Sequence, residues 1–307
     1  MALLRRPDLL ATRQRETLAG LETQPPEGVE LEASQRRERA APARARRRDV
    51  VPRADLGLLA GLLALTAFVW GRAGGTSFWL DEGIAAGVAS HPLRRIPSVL
   101  LQDGSPPLYY LLLHVWSSVF GSSNEAAHAL SLLFALALVP VGLWAGWSLF
   151  GRRTGWMLAL VAAINPFLAF YASETRMYSM AALLGLVSVT AFVHAFVFHR
   201  RGYLPVFAVA QALLMYTHNW GVLLGVGLAV AAVACFFIRS DRSDRRRVIV
   251  DASVAFGAVG LLYLPWVPSL LYQIRQDLQP WGRRADLVWI RTDVATLLGG
   301  DAAFAAL

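Results

Sequence analysis

Lysine is absent from the 307 residues, so the entire positive charge of the chain is arginine. Cysteine occurs once, at Cys235 inside an apolar run, which excludes an intrachain disulfide framework and a cysteine metal site. Charged residues are scarce at 16% of the chain, against 56% hydrophobic residues and a mean hydropathy of +0.46. That balance lies outside the range of ordinary soluble domains. The N-terminus lacks a short apolar core followed by a small-residue cleavage site, so no cleavable signal peptide is read there. No convincing internal repeat is visible. The net charge of +8 raises the question of a nucleic-acid partner. Its distribution answers in the negative, because the arginines gather in an N-terminal tail and in short loops between apolar runs, where they set membrane topology and face anionic headgroups.

What is present is a series of long apolar blocks. They fall at about 55–72, 106–120, 126–150, 155–171, 177–198, 203–217, 220–238 and 248–272, and a further run opens at 294–307. The chain therefore reads as all-α, a polytopic integral membrane protein in the plasma membrane. Residues 1–53 read as a disordered, arginine-rich cytoplasmic tail, and 54–307 as one transmembrane domain, incomplete at its C-terminal end. With the tail inside, full crossing by every block puts the Arg239–Arg247 loop, His199-Arg200-Arg201 and Arg152-Arg153 outside, against the positive-inside rule. If the block 106–120 does not cross, all three loops move inside. It begins Pro106-Pro107 and is short of the ~20 residues a span needs. A re-entrant 155–171, broken at Asn165-Pro166, is the variant reading. Either way Asp81-Glu82, Ser105-Pro106-Pro107, Glu174-Thr175-Arg176 and His218-Asn219 collect on the outer face.

These outer residues are the candidates for chemistry. Asp81 and Glu82, after Phe78-Trp79-Leu80, supply a general base and a neighbour that orients it or binds a cation. The structural alternative is an acid pair at a solvated helix start, where Ser77 is placed to cap. Asp103 is a second acid, just before the prolines. Tyr109 and Tyr110 suit either substrate contact or an interfacial aromatic belt. Arg176 has the fork of donors that grips a phosphate, with Glu174 to hold it in place and Tyr178 on its flank. The alternatives there are a local salt bridge or an arginine snorkelling to lipid. His218, between two apolar runs, reads as a substrate contact, a metal ligand or part of a plain polar turn. His114, His128, His194 and His199 read as packing or loop histidines.

The ordered series Phe78-Trp79-Leu80-Asp81-Glu82, Pro106-Pro107-Leu108-Tyr109-Tyr110 through His114, Asn165-Pro166-Phe167, Tyr171 through Tyr178, and Tyr216-Thr217-His218 resembles the signature of bacterial GT-C glycosyltransferases. It is most similar to the glycosyltransferase family 39-like group related to protein O-mannosyltransferases, with lipid A aminoarabinose and galacturonic acid transferases as cousins. The resemblance covers about Ser77 to Trp220. It implies a GT-C helical bundle with an outer loop carrying the acidic pair, and a polyprenyl-monophosphate sugar as donor. By the same resemblance Asp81 is the base and Glu82 its neighbour, Arg176 binds phosphate and His218 faces the cavity. Many relatives carry histidine or lysine before the paired prolines; here the residue is Ser105.

The function expected is inverting transfer of a sugar to a hydroxyl on a glycan, lipid or protein, at the extracytoplasmic face. No cofactor is required, since a monophosphate leaving group needs less charge neutralisation than a diphosphate, and a divalent metal is left open. Membrane lipids are partners and nucleic acid is not. Two other classes compete. A transporter or flippase for a lipid-linked or anionic substrate would place ionisable groups near the bilayer midplane. An inactive membrane scaffold would tolerate loss of Asp81.

Overall fold

The computed structural model describes residues 52–73, 78–238 and 241–276. The tail expected to be disordered, the capping candidate Ser77, the loop around Trp281, Arg283 and Arg284, and the run 294–307 lie outside the described residues. Among the described residues every regular element is helical.

Each break between helices has a local cause. Helix α1 (Arg53–Ala73) carries Asp55 in its first turn and Arg72 in its last, complementing the helix dipole. The acidic pair opens α2 (Leu80–Ser90), which leads into α3 (Ile96–Asp103). Gly104, in the left-handed region at φ 83°, ends α3, and Pro106-Pro107 sets the entry to α4 (Leu108–Phe120). Then follows α5 (Asn124–Phe150), capped by the Ser123 side chain, which accepts from the Ala126 N–H. Helices α6 (Arg152–Ile164) and α7 (Pro166–Ala172) form a pair bent by 55° at Asn165. Proline at 166 cannot continue the ladder of α6, and Asn165 Oδ1 caps the new start by accepting from Leu168 N–H at 3.1 Å. Next come α8 (Tyr178–Phe192), extended by a π turn to Val197, and a short 3-10 turn leading into α9 (Leu204–Thr217). The chain closes with α10 (Trp220–Ile238), α11 (Arg242–Tyr263) and α12 (Val267–Arg275).

Five helical stretches are long and apolar enough to cross a membrane, and six if the bent α6–α7 pair is one span. Helix α4 has 13 residues and is not among them, as its length in the sequence anticipated. The burial pattern agrees with a lipid surround. Leu65, Leu223, Ile238 and Leu261 stand exposed on the outside, whereas Ser131, Ser188, His194, Gln211 and Thr217 are buried. Inside, polar groups find partners: Ser188 donates to Gln211 Oε1 at 2.8 Å and Gln211 donates to the Gly221 carbonyl at 2.7 Å. A multi-pass membrane protein follows from these features together.

Contacts among residues 57–276 sort the bundle into two ends. At one, Arg200 donates to His194 Nδ1, His194 meets Ser148 at 2.8 Å, and Arg201 pairs with Asp251 at 2.9 Å. At the other, His128 of α5 meets Glu82 at the start of α2, Tyr178 of α8 meets Arg176 of the 173–177 loop, and His218 after α9 meets Tyr178. Helix α6 starts directly after the Ser148 end of α5, and α7 finishes where the Tyr171 carbonyl accepts from Ser179 at 2.9 Å. The bent pair thus runs from the arginine end to the polar end, so it is a broken span rather than a loop that returns.

Helices α5 and α6 cross closely because glycine faces glycine. A Cβ built on Gly155 would stand 2.7 Å from the Leu143 carbonyl, and one on Gly146 would stand 2.7 Å from that of Thr154. Gly155→Leu is expected to lower the thermal unfolding midpoint in detergent, at a cost of at least about 1–3 kcal/mol, since backbone rather than a side chain must give way.

Candidate active site

The polar end is organised by two charged side chains, Glu82 and Arg176. Glu82 is buried in the first turn of α2, and its carboxylate is fully engaged. Oε2 accepts from the Trp79 N–H at 3.2 Å, so the N-cap position is Trp79 and Glu82 closes half of a capping box. Oε1 accepts from the Thr175 N–H at 2.6 Å and meets His128 Nε2 at 2.7 Å. One carboxylate therefore ties α2, α5 and the 173–177 loop together. His128, read from sequence as a packing histidine, is a partner of the acidic pair instead. Its Nδ1 is buried without a partner among the described residues, and the residue borders a pocket of about 120 Å³ shared with Trp70, Glu125 and Ser173.

Removing a buried, multiply bonded charge leaves its partners unsatisfied. Glu82→Ala is expected to cost on the order of 3–5 kcal/mol. The checks are a lowered unfolding midpoint and protease sensitivity at the 173–177 loop.

Asp81, one residue earlier, points differently. Its side chain is 39% exposed, against 4% for Glu82. It pairs with Arg176, with Nη2 at 3.8 Å from Oδ2, while Nη1 donates to the Asp81 carbonyl at 3.3 Å. The end of the guanidinium thus faces Asp81, and Nε, on the adjacent edge, is a buried donor with no acceptor among the described residues. Arg176 also lies over the Tyr178 ring at 5.7 Å, a cation–π contact. Its backbone is fixed from the far side: the buried Tyr109 hydroxyl meets Ser131 Oγ at 2.8 Å, and Ser131 donates to the Arg176 carbonyl at 3.1 Å. Tyr109 thereby positions Arg176, its hydroxyl committed to that chain.

Tyr110 is buried beside it. Its hydroxyl lacks a partner at hydrogen-bond geometry, and burial followed by the charge of Asp103 pushes its pKa up to about 12. Asp103, at the end of α3, joins the cluster through this field. The neighbouring loop is anchored by Asn219, which donates to the Gly104 carbonyl at 2.9 Å. His218 completes the group: its ring lies 5.7 Å from Tyr178, and its Nδ1 accepts from the Trp220 N–H at 3.1 Å. Burial and the positive charge of Arg176 lower its pKa, so at neutral pH the ring is uncharged with its proton on Nε2, a donor.

Glu174 is 5% exposed and its Oε2 has no hydrogen-bond partner among the described residues. Burial, then the nearby charge of Glu82, raises its pKa to about 7; Arg176 works in the opposite sense. The consequence for stability has a definite sign. A raised carboxyl pKa favours the folded state at acid pH, and that contribution is lost as pH rises from the ordinary value through about 7. Glu174→Gln, which mimics the protonated form, is expected to melt with wild type at pH 5 and above it at pH 8.5. Thermal unfolding at the two pH values checks this.

Every candidate from the sequence thus falls at one end of the bundle: Asp81, Glu82, Asp103, Tyr109, Glu174, Arg176, Tyr178 and His218. Sequence reading missed the roles of His128 and Ser131. The only signal was two polar residues three apart in the first turns of an apolar helix. Among the described residues no three histidine, cysteine or carboxylate side chains converge as a metal-binding group. Chemically, the cluster offers an accessible carboxylate, a fixed guanidinium with a spare edge, a neutral imidazole donor and a carboxyl titrating near neutrality. Protein-family models, curated proteins and solved structures contain no match to the chain.

Proposed function

We propose that the chain is an inverting glycosyltransferase of GT-C type, transferring a sugar from a polyprenyl-monophosphate donor to a hydroxyl acceptor at the extracytoplasmic face of the plasma membrane. The observation that carries this reading is the pairing of a half-exposed Asp81 with Arg176, a fixed guanidinium whose buried Nε has no acceptor among the described residues. A base and an anion-binding group held side by side at one end of a membrane bundle suit a substrate whose reactive head lies at the lipid surface.

In this reading Asp81 accepts the proton of the acceptor hydroxyl as that oxygen attacks the anomeric carbon. The bond from that carbon to the phosphate oxygen breaks, its electron pair leaves with polyprenyl phosphate, and the configuration inverts. Arg176 offsets the charge that develops on the departing phosphate, through the edge not turned to Asp81. Neutral His218 and the hydroxyl of Tyr178 donate to the sugar or phosphate, and Glu82 keeps Asp81 and the loop in register. Glu174, protonated over part of the neutral range, lessens the negative charge that the phosphate meets. Asp103 lies on the side of Tyr110. The location of the cluster at one end speaks against a transporter, which places its ionisable groups near mid-membrane.

The test is transfer in membranes supplied with radiolabelled polyprenyl-phosphate sugars and a hydroxyl acceptor. Label joined to glycan, lipid or protein in inverted configuration is expected. Label that crosses the bilayer unreacted would sink the proposal in favour of a transporter.

A further inference from the structure

The hairpin formed by α2 and α3 has a face that neither packing nor the proposed transfer uses. It stays at the polar end of the bundle. Glu82 at its start meets His128, His114 of α4 donates to the Ala89 carbonyl at 2.8 Å, and the Gly104 carbonyl after α3 accepts from Asn219. Helix α2 is two-sided. Glu82, Ala85, Val88 and Ala89 are buried, while Leu80, Gly83, Ile84 and Gly87 are exposed, Leu80 to 76%. Trp79 before the helix and Leu93 after it are exposed as well. A Cβ built on Gly83 or Gly87 meets nothing within 4 Å, so contacts inside the chain do not explain glycines that weaken the helix. Beyond Leu93 the turn carries Arg94 and Arg95, both exposed. Neither guanidinium has a hydrogen bond, ion pair or ring contact among the described residues. The polar groups around them are engaged locally: Ser90 Oγ and His91 Nδ1 donate to the Gly87 carbonyl, and Ser98 Oγ to that of Arg95. No acidic residue lies between Glu82 and Asp103. Glu82 is fully engaged, and Asp103 closes α3 about 12 Å of helix away from Arg95. Arginines ahead of α3 oppose its dipole, so they do not serve helix stability.

We propose that this face of the hairpin docks on an anionic lipid surface, with Leu80 and Ile84 set into the headgroup–acyl boundary and Arg94 and Arg95 on lipid phosphates. Water would leave the apolar stripe uncovered. The acyl region would strip two guanidinium groups of their solvent. The boundary between the two suits both sets of residues. Neutral headgroups cover the stripe equally well, and two cations without a counter-charge add a preference for net negative lipid. The bare glycines flatten the stripe and let the helix backbone lie close to the surface. Helix α2 also carries Asp81 and Glu82 in its first turn, so the docked face and the candidate site share one element. The docking itself does not depend on the reaction proposed above.

The test follows the stripe directly. The full chain with Cys235→Ser and Gly87→Cys is labelled with a fluorophore at position 87, where added atoms meet open space, and placed in nanodiscs of phosphatidylglycerol or phosphatidylcholine. Quenching by doxyl-labelled lipid is compared with quenching by acrylamide from the water. In phosphatidylglycerol the lipid quencher is expected to dominate, and its lead over acrylamide to shrink in phosphatidylcholine. Arg94→Gln with Arg95→Gln should lower the ratio of lipid-facing to water-facing label in phosphatidylglycerol by about fivefold per arginine. High salt should do the same. Equal quenching in the two lipids, or an arginine variant that leaves the phosphatidylglycerol discs unmoved, would overturn the proposal. So would free access of acrylamide in phosphatidylglycerol, since the stripe would then face water. Shielding from both quenchers would assign the face to a second copy of the chain or another protein, and would overturn it as well.

Discussion

Asp81→Asn is expected to reduce sugar transfer by about 10²- to 10⁴-fold, the range that a positioned base contributes, while the protein inserts and melts as wild type. The two halves of this prediction rest on different observations. Asp81 is 39% exposed and its ion pair with Arg176 is long, at 3.8 Å, so its contribution to folding is small. An amide of the same shape keeps a polar neighbour for the guanidinium and cannot accept a proton. The neighbouring carboxylate gives the contrast. Glu82 is buried with its lone pairs committed to Trp79, Thr175 and His128, so its loss lowers stability and activity together. Radiolabel transfer alongside thermal unfolding separates the two. Full transfer activity in Asp81→Asn would remove Asp81 from the mechanism as its base.

How much of this was legible in the sequence depends on the range over which each feature is determined. The helices were, because apolar runs and their breakers are local. Pro106-Pro107, Asn165-Pro166 and the His218-Asn219 turn mark the breaks that the structure shows. The block 106–120 was too short to span, and α4 has 13 residues. The division into two ends was also legible, since arginine-rich loops and the candidate residues alternate along the chain, and the structure puts them at opposite ends of the bundle. Pairings across the bundle were not. His128 is 46 residues from Glu82, and Arg176 is 95 from Asp81. Nothing local distinguishes a histidine that packs from one that holds a carboxylate. The acidic pair was read as a base and its neighbour, but nothing local says which of the two is buried. Burial separates them, and it follows from His128 of α5 and the Thr175 backbone closing on Glu82, which adjacent residues do not encode.

Arg176 carries the second large effect, and its replacement tests a different step. Arg176→Gln is expected to lower the turnover number by about 10²- to 10³-fold, with a smaller change in KM for the donor, because the charge it offsets grows as the phosphate departs. Arg176→Lys should recover little. An ammonium is a single point of charge, whereas here the guanidinium is planar, with its end turned to Asp81 and its face over the Tyr178 ring. The backbone at this position is held independently, by the Tyr109–Ser131 chain to its carbonyl, so the loop keeps its place when the side chain is changed. The same substitution has a signature that a merely structural role would not produce. Arg176 holds the pKa values of both Glu174 and His218 down, so its removal lets both rise. Residual activity in Arg176→Gln should therefore show a pH profile displaced toward alkaline pH relative to wild type. A variant that loses activity in proportion to its folded fraction, with the profile unmoved, would assign Arg176 to packing and leave the phosphate without its partner.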